Sequence, residues 1–411
     1  MPIRARQFRI PKTFSSLRHR NYQLFIVGQL VSLAGVWMQI IAQGWLVYEI
    51  SGSELALGIV GFASAVPVLI ITPWAGVIVD QVSKRGLLTI TQTLAKLLSL
   101  VLAALIFTDT VEVWHVVVVA AVLGAVNAFD GPARQAFVVE MVGREDLPNA
   151  IALNSMTFNS ARIIGPAIGG ALLVAVGAGW CFLINGLTVV AVVGCLLLMR
   201  LPKHKTRNNG QSPWEQMRHG LVYVGNDPDL RALLLMALVF SVFGISYSTV
   251  LPAFVDKVLK QGAGAFGTVN MMTGIGAVTG AFLVARYGER WGRGQWLSLA
   301  ILFFPVSLTV FALVPVYVVA LIVAVVLGVN FMFVFTLINT LLQTHLVDEM
   351  RGRVLSLYTV TFFGFAPFGN LLIGALAETI GLSQSLVLNA VFCFVLALIV
   401  IVKTPTVRKL A

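Results

Sequence analysis

Four ionisable residues stand inside long apolar runs of this sequence, and their types suit them to moving protons or holding anions. Asp130 and Arg134 share one run, Arg162 lies in the next, and Lys96 lies in an earlier one. A charge at the centre of a membrane helix costs about 2.5–3.5 kcal/mol on the insertion scale, so it needs a partner or a water-filled cavity. Arg134 follows Asp130 at i+4, where helical residues are neighbours and an ion pair can form. At roughly 1.5 Å per residue, Asp130 sits about 13–14 Å from Val139 and Arg162 about 12 Å beyond Asn154. Adjacent antiparallel helices can therefore bring these two to one depth. Two readings stay open: Asp130 takes and releases a proton as the protein works, with Arg162 or Arg134 setting its proton affinity, or these residues form a permanent gate ion pair. Lys96, about eleven residues into its run, falls near the midplane. It suits an anionic substrate, or snorkelling or pairing within a helix bundle.

Other chemistries find little support. His19, His115, His204, His219 and His345 are dispersed and form no metal or nucleophile constellation. Cys181, Cys195 and Cys393 lie in apolar runs without ligand spacing, which reads as buried thiols rather than a disulfide framework or a zinc site. No Gly-x4-Gly-Lys-Ser/Thr loop is present to cradle a nucleotide. The expectation is a protein with no catalytic residues, no metal and no cofactor, and not an enzyme.

The elements that must position the charges follow from composition. Of 411 residues, 58% are hydrophobic and only 11% charged, against roughly 25% charged in soluble domains. That excludes a soluble enzyme or a nucleic-acid binder, and the bilayer becomes the chain's principal partner. Apolar runs predict twelve membrane-spanning helices at 22–48, 55–79, 87–108, 113–137, 154–177, 179–200, 230–254, 265–286, 296–314, 316–341, 354–377 and 383–402. The first run is too long for a cleavable signal. An even number of spans puts both termini on one side. Of the 28 basic residues, 24 fall in the terminal segments, the loops and the span ends on that side, which the positive-inside rule identifies as the cytoplasm. The opposite loops hold Lys257 and Lys260 with acids such as Glu49, Glu54, Asp109, Glu112 and Asp256.

The longest break is basic and polar. It divides the chain into residues 1–200, a six-span half; 201–229, a cytoplasmic linker; and 230–411, a second six-span half. Apolar residues at helical spacing over 213–225 suggest a short interfacial helix, and a plain linker is equally consistent. The halves look like repeats: Lys84-Arg85-Gly86 and Gly292-Arg293-Gly294, Gln135 and Gln343, and Glu140 and Asp348 share one offset, with Pro166 and Pro367 close to it. Paired six-span repeats suit transporters that rock about a central site.

Two motifs carry a resemblance. Gly76-Val77-Ile78-Val79-Asp80-Gln81-Val82-Ser83-Lys84-Arg85-Gly86 resembles the loop between the second and third spans of the major facilitator superfamily. That resemblance implies a cytoplasmic gate latch at Gly76, Asp80, Lys84 and Arg85; the equivalent loop of the second half, Arg286 to Arg293, is degenerate. In the fifth span, Gly165-Pro166-Ala167-Ile168-Gly169-Gly170 resembles the antiporter motif of exporters in that superfamily, with Ala161 where the motif usually has glycine. It implies a packing role at the periplasmic-side gate. Leu17-Arg18-His19-Arg20-Asn21-Tyr22, Trp37-Met38-Gln39, Trp45-Leu46-Val47-Tyr48, Gly131-Pro132-Ala133-Arg134-Gln135 and Arg351-Gly352-Arg353-Val354 are similar to the branch of enterobactin exporters and transmembrane secretion effectors.

The resemblance implies an all-α integral membrane protein of twelve helices in two pseudo-symmetric six-helix bundles, in a bacterial inner membrane with both termini cytoplasmic. In that fold spans one, four, seven and ten line the pathway, so Gln39, Gln43, Asn127, Tyr247, Asn330 and Asn339 are the candidate substrate-cavity residues; each alone is more often interhelical glue. Phe331, Phe333 and Phe335 point around several helical faces and cannot all line one pocket. The function expected is secondary active transport, a proton-coupled exporter of small amphipathic compounds, siderophore-like or drug-like, with protons as the coupling ion. A lysophospholipid or nutrient transporter on the same fold is the alternative; an integral-membrane enzyme and a channel are disfavoured.

Overall fold

The computed structural model describes residues 12–143, 145–200, 213–288 and 292–410; some side chains within them, Asp80 included, and the basic stretch 203–210 lie outside the described residues. Among the described residues there are twelve helices long and apolar enough to cross a membrane, and no strand. Each predicted span coincides with one of them. The first six are α1 (Arg20–Ser51), α2 (Glu54–Gln81), α3 (Lys84–Phe107), α4 (Val113–Val142), α5 (Leu147–Val176) and α6 (Ala178–Leu198). A helix α7 (Pro213–Asn226) occupies the predicted interfacial segment. Helix is the expected answer in hydrocarbon, because it satisfies each backbone donor and acceptor within one segment. Side chains such as Val190, 74% exposed, form the apolar belt that would be an error in water.

The second half contains two broken spans that apolar patterning alone reads as continuous. Its seventh span is α8 (Pro228–Val239), a π-type turn over Phe240–Gly244, a 3-10 turn over Ile245–Thr249 and α9 (Leu251–Lys257). Pro252 lacks a donor at the start of α9, and side chains serve the disturbed backbone: Asn389 Nδ2 donates to the Phe243 carbonyl at 3.4 Å and to Ser246 Oγ at 2.9 Å. After α10 (Ala263–Tyr287), α11 (Arg293–Leu313) and α12 (Tyr317–His345), the eleventh span is α13 (Asp348–Gly364) followed by α14 (Ala366–Ile380), with Pro367 in the first turn of α14. The two breaks meet. Ser241 Oγ in the π-type turn donates to the Phe362 carbonyl at 2.6 Å. The last span is α15 (Leu382–Lys403).

Pseudo-symmetry is visible in packing. Helices α2 and α4 pair through Gly124, which lies against the Ser64 carbonyl; α10 and α12 pair through Gly328, which lies against the Thr273 carbonyl. The sixth span of each half begins after a glycine of positive φ, Gly177 at 88° and Gly381 at 94°. Buried asparagines Asn185 and Asn389 in those spans each bond to the first span of their own bundle.

The bundles meet along two seams, α2 against α14 and α5 against α10. In the second, a Cβ on Gly267 would lie 2.6 Å from Gly170 Cα and 2.8 Å from the Pro166 carbonyl oxygen. Only glycine permits that approach. At the other end, the 3-10 turn Lys12–Arg18 is tied to the start of α5, where Ser16 N donates to Asn149 Oδ1 at 3.0 Å and His19 Nε2 lies 2.8 Å from Asp146 Oδ2. Hydrogen bonds from Ser15 and His19 hold the Asp146 carboxyl below the usual carboxylate range. This tie is therefore complete above that range and lost as pH falls through the lowered value.

The α5–α10 seam gives a direct expectation. Gly267→Leu should cost about 1–3 kcal/mol by overpacking, seen as a lowered thermal midpoint in detergent. Gly194→Leu, at a position with no atom near the added Cβ, should leave the midpoint unchanged. Equal midpoints for the two variants would contradict a tight seam.

Candidate functional site

Asp130 is 6% exposed and the centre of a four-residue cluster on α3 and α4. Thr91 Oγ1 donates to its Oδ1 at 3.0 Å, Gln92 Nε2 donates to the same oxygen at 2.8 Å, and Arg134 pairs with Oδ2 through Nε and Nη2. The i+4 pairing expected from spacing is thus present, with two further donors that come from α3. Arg134 Nη1 is buried without a hydrogen-bond partner, so among the described residues the Asp130 carboxylate is what holds this guanidinium.

Arg162 is not brought to Asp130. Helix α4 packs on α2 and α3, whereas α5 packs on α1 and α10; sequence neighbours at one depth therefore face different partners. The Arg162 guanidinium lies 5.0 Å from the Phe331 ring on α12 and 5.8 Å from the Trp37 ring on α1, so it spans the two bundles. Such cation–π contacts contribute about 0.5–2 kcal/mol, more when water is excluded. Phe331 stacks on Phe335, and Phe335 lies edge-on to Phe362. Phe333 faces Trp296 instead, as helical geometry requires. Trp37 also meets Phe158 edge-on at 5.8 Å.

Lys96 is 1% exposed and pairs within its bundle. Its Nζ donates to Asn185 Oδ1 at 2.7 Å; Asn185 Nδ2 donates to Ser99 Oγ at 3.0 Å and to Gln39 Oε1, which also accepts from Ser99. Gln39, a candidate cavity residue, is thereby turned into the N-terminal bundle. Asn330 is buried and donates back to the Val326 carbonyl of its own helix at 2.9 Å. Asn339 is hydrogen-bonded to Gln343, Tyr247 is buried in contact with Thr273, Gln43 is half-buried and Asn127 is exposed. Spacing alone carried a signal for the Lys96 stripe, since Gln92, Lys96 and Ser99 recur on one face of α3 at i, i+4 and i+7. Nothing in it named Asn185.

The motif residues have defined neighbours. Gly165 and Gly169 pack on Trp37 and Met38 of α1, while Gly170 and the Pro166 carbonyl face Gly267 of α10. Lys84 Nζ lies 3.4 Å from Glu140 Oε1, and Arg85 donates to the Met199 and Leu197 carbonyls at 3.1 and 2.9 Å, serving acceptors at the end of α6. Gly76 lies in α2 near Asp80, and the surroundings of both fall outside the described residues.

A polar cluster that sequence patterning treats only as loop charge joins the bundles at the end remote from the termini. Tyr48 Oη donates to Asp256 Oδ2 at 2.8 Å, and Lys257 Nζ donates to Glu54 Oε1 at 2.6 Å. Glu378 Oε2 accepts from Ser53 Oγ at 2.9 Å and from the backbone N–H groups of Glu54 and Leu55 at 3.0 and 3.3 Å. A carboxylate of one bundle thus caps the positive end of a helix in the other. Asp227, Asp229 and His345 also come together, with ligand atoms within 4.8 Å. Asp227 caps α8 and meets His345, while Asp229 bonds Thr406, so each has a structural role.

Two helical bundles meet around a bundle-spanning cation, and the comparisons with known proteins agree with the two-bundle membrane fold. A family model described as transmembrane secretion effector matches residues 11–410. The chain is 27% identical over 369 residues to the staphyloferrin A transporter of Staphylococcus aureus, covering 88% of this chain and 90% of that protein. It is 28% identical over 406 residues to the multidrug efflux pump Tap of Mycolicibacterium fortuitum, covering 94% and 96%. A mutant of the nucleoside transporter NupG superposes with a TM-score of 0.76 at 14% identity, covering 93% of this chain and 99% of that one. The chain belongs to the transmembrane secretion effector family and is a twelve-helix transporter of the major facilitator superfamily.

Proposed function

We propose that this transporter is a proton-coupled exporter of small amphipathic organic compounds, siderophore-like or drug-like, working by alternating access. The observation that carries this reading is the distribution of contacts between the bundles. Tyr48–Asp256, Glu54–Lys257, Glu378 on the start of α2, and the Gly170–Gly267 approach all lie toward the end remote from the termini. The positive-inside rule assigns the termini to the cytoplasm, so the arrangement corresponds to an inward-facing state of an inner-membrane protein. Residues 1–200 and 230–411 are then the rocking units, with 201–229 as the cytoplasmic tether. The relatives named as a staphyloferrin A transporter and a multidrug efflux pump support the substrate classes.

Asp130 is the coupling group in this reading. Paired to Arg134, it fixes α3 against α4; a proton on its carboxyl frees Arg134 and loosens that contact. Lys84, Arg85 and Asp80 form the cytoplasmic latch when that side closes, and Gly165, Pro166, Gly169 and Gly170 keep the opposite gate slim enough to shut. Gln43, Asn127, Tyr247 and Asn339 border the substrate path.

Asp130→Ala should destabilise the protein by about 3–5 kcal/mol, because it strands a buried guanidinium. The double variant Asp130→Leu with Arg134→Met should recover most of that loss in a thermal unfolding assay. In vesicles with an imposed pH gradient, Asp130→Asn and the double variant should retain counterflow and lose gradient-driven efflux. Normal gradient-driven efflux by the double variant would leave the pair a purely structural one. A second expectation concerns the gate: bridging cysteines at positions 53 and 378 with a short methanethiosulfonate cross-linker should arrest transport, and reduction should restore it. Undiminished transport by the bridged protein would exclude opening at that end.

A further inference from the structure

Arg162 is a cation near the middle of a membrane span with no counter-ion among the described residues. Its contacts are the faces of Trp37 and Phe331 and the nearby Tyr247 hydroxyl; it has no hydrogen bond or ion pair among the described residues. The elements packed around it offer no free acid at that depth. Helices α10 and α12 contain no carboxylate, Glu49 lies at the exposed far end of α1, and Asp256 is taken by Tyr48. A guanidinium stays charged at any relevant pH. An intramembrane charge of this kind marks a ligand pathway when the protein itself supplies no partner.

We propose that Arg162 anchors the anionic group of the transported compound, and that this site takes carboxylates borne on an aromatic or otherwise flat apolar body. The inference rests on the reading above that the boundary between the bundles is the transport path. A planar guanidinium pairs a carboxylate through two parallel hydrogen bonds. The rings beside it suit the apolar remainder: Trp37 and Phe158 from the first bundle, Phe331 and Phe335 from the second. Because the cation belongs to α5 and one of its rings to α12, an anion seated there touches both bundles. It can then bind one arrangement of the bundles better than the other, which is the condition for a ligand to shift a conformational equilibrium.

The test uses a matched pair of probes, 2-naphthoate and its neutral isostere 2-naphthamide, in equilibrium binding to the purified protein in nanodiscs without any gradient. The intact protein should prefer naphthoate by about 10- to 100-fold, the range of a charge-assisted hydrogen-bonded pair. Arg162→Gln should bring that preference close to unity, and Arg162→Lys, which keeps the charge but not the fork, should retain part of it. The lysine variant also serves if the glutamine variant fails to fold. Equal binding of the two probes by the intact protein, absence of saturable naphthoate binding, or an undiminished preference in Arg162→Gln would each overturn the proposal. Naphthoate selectivity that depends on Arg162, without any gradient-driven efflux in vesicles, would instead overturn proton-coupled export and leave this site standing.

Discussion

Hydrocarbon offers no hydrogen bonds, so each polar group the chain carries into the membrane must find its partner within the protein. Much of the architecture follows from that demand. Regular helices answer it for the backbone. Where the seventh span breaks, Asn389 answers it by donating to the Phe243 carbonyl, and beside the break in the eleventh span Ser241 donates to the Phe362 carbonyl. Asp130 is met by Thr91, Gln92 and Arg134, and Lys96 by Asn185. Against that background Arg162 stands out, since among the described residues the Trp37 and Phe331 rings face its guanidinium and no ion pair meets it.

The two halves repeat each other in packing and differ in chemistry. Gly124 on Ser64 and Gly328 on Thr273 are equivalent contacts, as are the buried asparagines of the sixth and twelfth spans. The first half, however, holds all four intramembrane charges, while the second presents Phe331, Phe335, Tyr358 and Phe362 in mutual contact. One bundle is therefore ionic inside and the other aromatic, and Arg162 with Phe331 is where the two chemistries touch.

Most of the fold was legible before any coordinates, because twelve apolar runs of membrane-spanning length admit few alternatives. The start of α5 at Leu147 was missed by seven residues, since Pro148 in its first turn resembles a loop signal. The breaks in the seventh and eleventh spans were also missed, because apolar patterning registers hydrophobicity and not hydrogen bonding. At the site, the Asp130–Arg134 pair could be read from its i+4 spacing. Whether Arg162 joined it could not, since depth along a helix says nothing about which neighbour that helix chooses; α5 chose α1 and α10. The far-end cluster of Glu54, Lys257, Asp256 and Glu378 depended on bringing together positions more than 200 residues apart, with local sequence marking each only as a charged loop residue.

The placement of strong and weak ionic contacts has a mechanical consequence. At the far end the Lys257 side chain is 46% exposed, although Glu54 is buried. Ion pairs that reach water contribute about 0–1 kcal/mol, and a carboxylate at a helix start adds roughly 0.3–1 kcal/mol. The glycine seam adds shape complementarity without interlocking side chains. Since about 1.4 kcal/mol corresponds to a factor of ten, contacts of this size suit the alternating access we propose, in which differential ligand binding reverses the closure of that end. A largely buried pair like Asp130–Arg134 is another matter, because removing one partner of a buried pair costs about 3–5 kcal/mol. That pair lies inside one bundle, where it stiffens a body rather than fastening it to its neighbour. The rocking we propose for two stiff bodies needs this division, with the costly contacts within each body and the cheap ones between them.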